Sequence, residues 1–273
     1  MTMTMTMIMT MTKMDGFSVF LRKELREMAR SNRLLVVAAV FLLLGIISPV
    51  TAKYTPELLK ALGTGQDGVQ IIIPTPTVAD AIAQYIKNVA GTGIFVAILL
   101  PMGMVAREKE RGTAAFVLTK PVSRAAFLAA KLVALAALLG IGVLIAAVAT
   151  YIYTAILFEP VALGGFIGCS ALILLSLVVY GLLTFLGSTI ANSQLPAVGI
   201  GLAAWVVISL IGINPTAAQY TPAGLLDPAS ALARGNDPAH LLLSVVANVA
   251  LCALLVALSW LIFRRQELAS AAS

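Results

Sequence analysis

Charged side chains are scarce in this sequence, and one long stretch has none at all. Lys, Arg, Asp and Glu make up 11% of the 273 residues, against about 25% in soluble domains. From Pro160 to Leu226 the chain runs for 67 residues without one of them. No soluble domain of this size buries so much uninterrupted apolar sequence, whereas a bilayer core accommodates about 20 residues per helical crossing. The composition therefore excludes a soluble protein and predicts several membrane-spanning segments.

Cysteine and histidine are nearly absent too. Cys169 and Cys252 lie far apart inside apolar runs, and His240, the single histidine, begins the last apolar run. No CxxC pair and no Cys/His spacing typical of a metal site occurs, so we expect no metal ligands in this chain. The cysteines are interpreted as small core residues, and the histidine as a residue of the membrane interface.

Catalytic motifs are missing as well. The sequence has no nucleotide-binding GxxxxGK[ST] loop, no HExxH and no GxSxG. Ion-coupled transporters usually carry ionisable groups in mid-membrane. Here Asp80, Lys87 and Glu159 lie near the predicted outer ends of apolar runs, where long side chains reach water. We therefore predict a transport body without catalytic residues, without a cofactor of its own and without its own energy source.

The chain does contain six long apolar runs. They are apolar on every face, which favours helices over the alternating strands of a membrane barrel. The third run is longer than one crossing needs and carries Lys131, so we expect its span to begin near Leu132. A cleaved signal peptide ending at Ala52 is an alternative for the first run, but the segment ahead of it is too long and too organised. The runs cover about residues 34–52, 82–105, 126–158, 161–191, 195–213 and 240–263. The predicted fold class is an all-α membrane protein with six transmembrane helices between residues 34 and 265, preceded by an amphipathic interfacial helix.

The N-terminal region divides into a leader and that amphipathic helix. Residues 1–14 are a Met-Thr repeat, which we expect to be disordered, whether or not it is native, and exclude from the fold. Asp15 is placed as the N-cap of a helix within residues 15–33, lying along the membrane surface. Its apolar side is predicted to consist of Phe17, Phe20, Leu21, Leu25 and Met28. Its charged side is predicted to consist of Arg22, Lys23, Glu24, Arg26, Glu27 and Arg30.

The distribution of Lys and Arg predicts the orientation. With six spans, both termini and the loop between the second and third runs share one side. That side carries 14 of these residues, whereas the other carries 4. The positive-inside rule places the richer side, with the tail at 266–273, in the cytoplasm of a plasma-membrane protein. The same rule accounts for the net charge of +6, so we expect no nucleic-acid partner.

The loop at residues 107–124 is the most structured segment on that side. A dense charged run is followed by a Gly-Thr break, a short apolar stretch and a restart led by proline. This order predicts a small helix between two long ones. Phe116, Val117 and Leu118 would then face the cytoplasm, which suits docking into a partner. A simple positively charged anchor is the alternative.

At this segment the sequence resembles the membrane subunit of ABC-2-type exporters. The loop after the second span of that family reads E-x-x-x-G-T, an apolar stretch, P-h-x-R and then K. The residues on this pattern are Glu108, Gly112, Thr113, Pro121, Ser123, Arg124 and Lys131. Arg22-Lys23-Glu24-Leu25 is similar to the family's first, amphipathic helix. The segments 54–56 and 220–225 stand where the family keeps its two outer connections.

The resemblance implies a dimeric permease driven by two copies of a separate ATPase subunit, which would hold ATP and Mg²⁺. The second permease would be another copy or a sister chain, and membrane lipid would surround both. The implied ATPase-coupling residues are Glu108, Glu110, Gly112, Thr113, Phe116, Val117, Leu118, Pro121, Ser123 and Arg124. We expect Glu108→Ala and Arg124→Ala to uncouple the transporter rather than unfold it, because surface charges contribute little to stability. The sequence indicates no substrate-binding residues.

Two features of the spans are expected to shape the bundle. Pro101 would kink the second span beside the coupling loop. Gly164-x-x-x-Gly168 would allow close helix approach, although such motifs occur in any helical bundle. Two other functions stay open from the residues alone: a self-contained secondary transporter or channel, and a membrane sensor or assembly factor without transport.

Overall fold

The computed structural model describes residues 17–63, 75–111, 124–238 and 240–266. Within these ranges the chain is helical and has no strand, and six of its helices are long and apolar enough to cross a membrane. The predicted fold class is therefore confirmed.

Ten α-helices occur in the described ranges. In chain order they are α1 (17–30), α2 (Asn32–Gly63), α3 (Val78–Leu99), α4 (Ala106–Glu110), α5 (Arg124–Leu157), α6 (Leu163–Ile190), α7 (Gln194–Ile211), α8 (Pro215–Ala218), α9 (Leu226–Ala233) and α10 (Leu241–Arg265), with a 3-10 turn at Pro222–Leu225. The candidate spans are α2, α3, α5, α6, α7 and α10. Helix α6 lies at the centre, where it contacts α3, α5, α7, α9 and α10.

Helix α3 is displaced from its predicted bounds at both ends. It begins earlier because Asp80 accepts hydrogen bonds from the backbone N–H and the hydroxyl of Thr77, both at 2.8 Å, which caps its first turn. It ends at Leu99, and residues 100–104 form a turn. The predicted kink at Pro101 is therefore wrong. Proline lacks the N–H that a continuing helix needs, so Pro101 follows the helix instead of bending it.

The connection between α7 and α10 packs back into the bundle. Ser176 donates a hydrogen bond of 2.9 Å to the carbonyl of Pro222, and Asn248 donates one of 3.2 Å to the carbonyl of Thr221. Ser176 lies well inside α6, about 20 Å along the axis from Leu163 at 1.5 Å per residue. Leu225 is fully buried. The segment is thus a packed part of the fold rather than a simple loop.

The close helix approach on α6 is made at Gly165, and not at Gly164 as the sequence motif indicated. A Cβ atom at Gly165 would collide with the backbone carbonyl of Leu232 on α9, whereas one at Gly164 would meet nothing within 4 Å. Gly168 lies against the Leu232 side chain. The close approach therefore joins α6 to the packed connection within one chain.

We expect Gly165→Ala to destabilise the protein by about 1–3 kcal/mol, because the backbones of α6 and α9 must move apart to make room for the methyl group. Gly164→Ala is the matched control, since it adds the same methyl group one residue away in open space, and it should be neutral. Thermal unfolding of both purified variants in one detergent measures the difference. Equal melting temperatures would mean that α9 does not pack on α6 as described.

Candidate functional site

One end of the bundle gathers most of the charged and hydrogen-bonded side chains that connect different helices. Helix α1, helix α4, the first turns of α5 and the last turns of α6 and α10 meet there. We call this region the basic end, because it carries Lys23, Lys109, Arg124 and Lys131.

Helix α1 packs on the bundle through a mixed face. Phe20 meets Phe127 of α5 edge to face, with ring centroids 5.8 Å apart, and Met28 is buried. Glu24 is only 8% exposed and lies on this inward face, whereas Leu25 is 42% exposed. The predicted place of Glu24 on the exposed, charged side is therefore wrong. A helical wheel groups side chains by polarity, but Glu24 faces inward because a buried cation lies opposite it.

That cation is Lys131, in the third turn of α5. Its side chain is 3% exposed, and its Nζ lies 3.0 Å from Glu24 Oε1 and 2.9 Å from Glu108 Oε1. The ammonium also lies 4.9 Å from the centroid of the Phe127 ring, within cation–π distance. One cation thus holds a carboxylate from α1 and a carboxylate from α4 at once.

Lys23 adds a second, more exposed cation to this group. Its Nζ lies 3.6 Å from both Glu24 Oε1 and Glu108 Oε1. Partial burial alone would lower the pKa of Lys23, but attraction to Glu108, Glu24 and Glu27 outweighs it and raises the pKa above its ordinary value. We call Lys23, Glu24, Glu108 and Lys131 the ion cluster. It joins α1, α4 and α5.

Ser188 connects the start of α4 to the last turn of α6. Its buried hydroxyl accepts hydrogen bonds from the N–H groups of Val105, at 3.2 Å, and Ala106, at 3.0 Å, and donates one of 3.0 Å to the carbonyl of Met102. The first N–H groups of a helix have no partner inside the helix. Ser188 supplies one from a neighbouring span, so α4 is attached directly to the end of α6.

Lys109 and Gln266 cap the last carbonyl groups of α6. Lys109 donates to the carbonyls of Thr189 and Ala191, and Gln266 donates to that of Thr189 at 2.8 Å. Partial burial lowers the pKa of Lys109 to about 8. A cation at the carbonyl end of α6 also faces the negative end of the helix dipole.

Arg124 caps the carbonyl end of α10. Its guanidinium donates to the carbonyls of Arg264, at 2.9 Å, and Gln266, at 3.2 Å. Beneath it Phe127 stacks on Phe263, with centroids 5.7 Å apart and ring planes 12° apart. The start of α5 is therefore attached to the end of α10.

The remaining predicted coupling residues divide in two groups. Glu110 is exposed at the end of α4. Gly112, Thr113, Phe116, Val117, Leu118, Pro121 and Ser123 lie outside the described residues, between α4 and α5. Two described residues on either side of that segment, Glu108 and Arg124, both lie at the basic end.

Comparison with known proteins identifies the family. The family model for ABC-2 family transporter proteins matches residues 19–268. The chain belongs to the ABC-2 transporter family. It is also 28% identical over 254 residues to an uncharacterized transmembrane protein, YxlG, of Bacillus subtilis (strain 168), a match that covers 90% of this chain and 96% of that protein. The chain is thus a multi-pass ABC-2 family membrane protein, and such proteins act in general with an ABC ATPase.

In this ABC-2 family member, Glu108 and Arg124 are structural as well as candidate coupling residues. We expected their alanine variants to leave the fold intact, but Glu108 pairs with a buried ammonium and Arg124 caps α10. Removing Glu108 leaves the buried Lys131 ammonium with Glu24 alone, and removing Arg124 uncaps the last carbonyls of α10, so these variants alone cannot separate coupling from folding.

Sequence reasoning did not single out several residues of this site: Lys109, Ser188, Phe263 and Gln266. A serine or phenylalanine inside an apolar run gives no signal, because its role depends on which helix lies beside it. Lys131 did carry a signal. A lysine within an apolar run needs a partner, and Glu24 and Glu108 were among the few acidic residues of the amphipathic helix and of the loop at 107–124.

Proposed function

We propose that this chain is the permease subunit of an ABC exporter and that a separate ATPase drives it from the basic end. ATP and Mg²⁺ are held by that ATPase, and this chain contributes no catalytic residue. The ion cluster supports this proposal most strongly, because through Lys131 it joins α4, at the start of the loop at residues 107–124, to α1 and α5. A loop that served only as a charged anchor would need no buried lysine of a neighbouring helix as a partner for its carboxylate.

The contacts of α4 suggest how closure of the ATPase reaches the membrane. A displacement of α4 moves Glu108 against Lys131 of α5, and moves Val105 and Ala106 against Ser188 of α6. Because α6 contacts most of the bundle, the movement of its last turn shifts the population between two packings of the spans. This is alternating access driven by an external ATPase.

The pathway is formed by two permeases in this proposal, either two copies or a copy and a sister chain. Helices α7 and α10 support it, because they expose large apolar side chains on most of their surface, among them Leu210, Val246 and Leu254. Surfaces of this kind suit a second permease or lipid.

The basic end lies in the cytoplasm of a plasma-membrane protein, together with both termini. We expect Glu110→Cys, in a background without Cys169 and Cys252, to resist an impermeant thiol reagent in intact cells and to react after permeabilisation. Asn236→Cys is the control at the opposite end, since Asn236 is also exposed, and it should react in intact cells. Strong labelling at position 110 in intact cells would reverse the orientation.

Co-expression tests the proposed function as a whole. The tagged chain should purify from detergent with an ABC ATPase of the same organism, and should change the rate at which that ATPase hydrolyses ATP. A chain that purifies without an ATPase, and transports or signals without ATP, would contradict the proposal.

A further inference from the structure

An apolar cleft lies between the start of α2, the end of α3 and the start of α7. Its volume is about 370 Å³, within the range of about 300–1,000 Å³ that holds small molecules in proteins. Val36, Val96 and Leu99 form apolar parts of the wall, and Asn32, Arg33 and Gln194 contribute polar atoms. Val36 is 55% exposed and Leu99 is 51% exposed. Both residues belong to candidate spans, so the cleft opens on the surface that faces lipid.

The charge of the cleft is positive and uncompensated within the described residues. None of the residues that line the cleft is acidic. The ion pairs among the described residues all involve Lys23 or Lys131, and none involves Arg33. Arg22, Arg26 and Arg30 lead towards Arg33 along the exposed side of α1. Helix α2 begins at Asn32, so the positive end of its dipole also lies at the cleft.

We propose that this cleft binds one anionic phospholipid from the adjacent leaflet. An acyl chain lies against Val36, Val96 and Leu99, and the phosphate pairs with Arg33, with Asn32 and Gln194 as further hydrogen-bond donors. A second copy of this chain fits the charge less well. Helix α7 belongs to the stretch from Pro160 to Leu226, which has no Asp or Glu, so a copy packing through α7 would bring no carboxylate to Arg33.

Native mass spectrometry of the purified chain in detergent tests this site, with phosphatidylglycerol and phosphatidylcholine as the added probes. We expect one phosphatidylglycerol per chain to bind more tightly than phosphatidylcholine. Arg33→Gln should weaken phosphatidylglycerol binding about fivefold, the effect of one arginine near an anionic membrane surface, and Arg33→Lys should restore most of it. Val36→Trp should fill the cleft and abolish the tight site.

Arg26→Gln is the matched control, because Arg26 is an exposed arginine of α1 that does not line the cleft. It should change binding little, and all variants should melt within a few degrees of the parent. If Arg26→Gln and Arg33→Gln weaken phosphatidylglycerol binding equally, the lipid is attracted to the whole basic surface and the cleft is not a specific site. Unchanged binding in Val36→Trp, or a disulfide between two copies through Val36→Cys, would overturn the proposal, and the disulfide would make the cleft an interface between permeases.

Discussion

Replacing Lys131 by methionine should destabilise the folded chain by about 3–5 kcal/mol, the cost of removing one partner from a buried ion pair. Glu24 and Glu108 would then face each other without the ammonium that both contact at 3.0 Å or less. We expect a lower yield of folded protein and a lower melting temperature in detergent. Lys87→Met is the control, because Lys87 is an exposed lysine of α3, and it should melt like the parent.

A triple variant separates the fold from the function. Removing these three charges together, as Glu24→Gln, Glu108→Gln and Lys131→Met, leaves no buried ion in the cluster, since the remaining Lys23 is 45% exposed and keeps Glu27 at 3.9 Å. Neutral replacement of a whole buried ion group is often neutral or stabilising, so this variant should recover most of the stability lost in the single one. If Lys131→Met melts like Lys87→Met, the ion cluster does not hold the basic end together.

The double variant Phe116→Ala/Leu118→Ala should weaken association with the ATPase by about two to four decades. Burying one large apolar side chain is worth roughly 1.5–3 kcal/mol, which is one to two decades in affinity for each residue. Titration of the purified ATPase against the chain in nanodiscs measures this directly. Leu242→Ala removes an exposed apolar side chain at the opposite end and should leave the affinity unchanged. Normal association in the double variant would leave residues 107–124 as a charged anchor.

The spans were predictable from the sequence, because an apolar run that is apolar on every face has few alternatives to a membrane helix. The residues at which the spans begin and end were harder to predict. The second run continues past Leu99 in hydropathy, but Pro101 stops the helix, and the first turn of α3 depends on the side chains of Thr77 and Asp80. Local hydrogen bonding, which hydropathy does not describe, sets these bounds.

The ion cluster shows why the site was harder to predict than the spans. Glu24 and Lys131 are 107 residues apart in the chain, and nothing in either segment alone indicates that they touch. Periodicity assigned Glu24 to the charged side of α1, which is the correct rule for an isolated helix at a surface. The packing of α1 against α5 turns Glu24 towards the bundle instead, since the buried ammonium of Lys131 stabilises a carboxylate there.

Coupling through the basic end is measured by ATP hydrolysis of the ATPase in proteoliposomes that contain this chain, the triple variant or neither. We predict that this chain changes the hydrolysis rate, and that the triple variant still binds the ATPase but changes the rate much less, because the connection from α4 to α5 has been lost and only Ser188 and Lys109 still join α4 to α6. Hydrolysis at the same rate in all three preparations, with binding intact, would contradict coupling through the basic end.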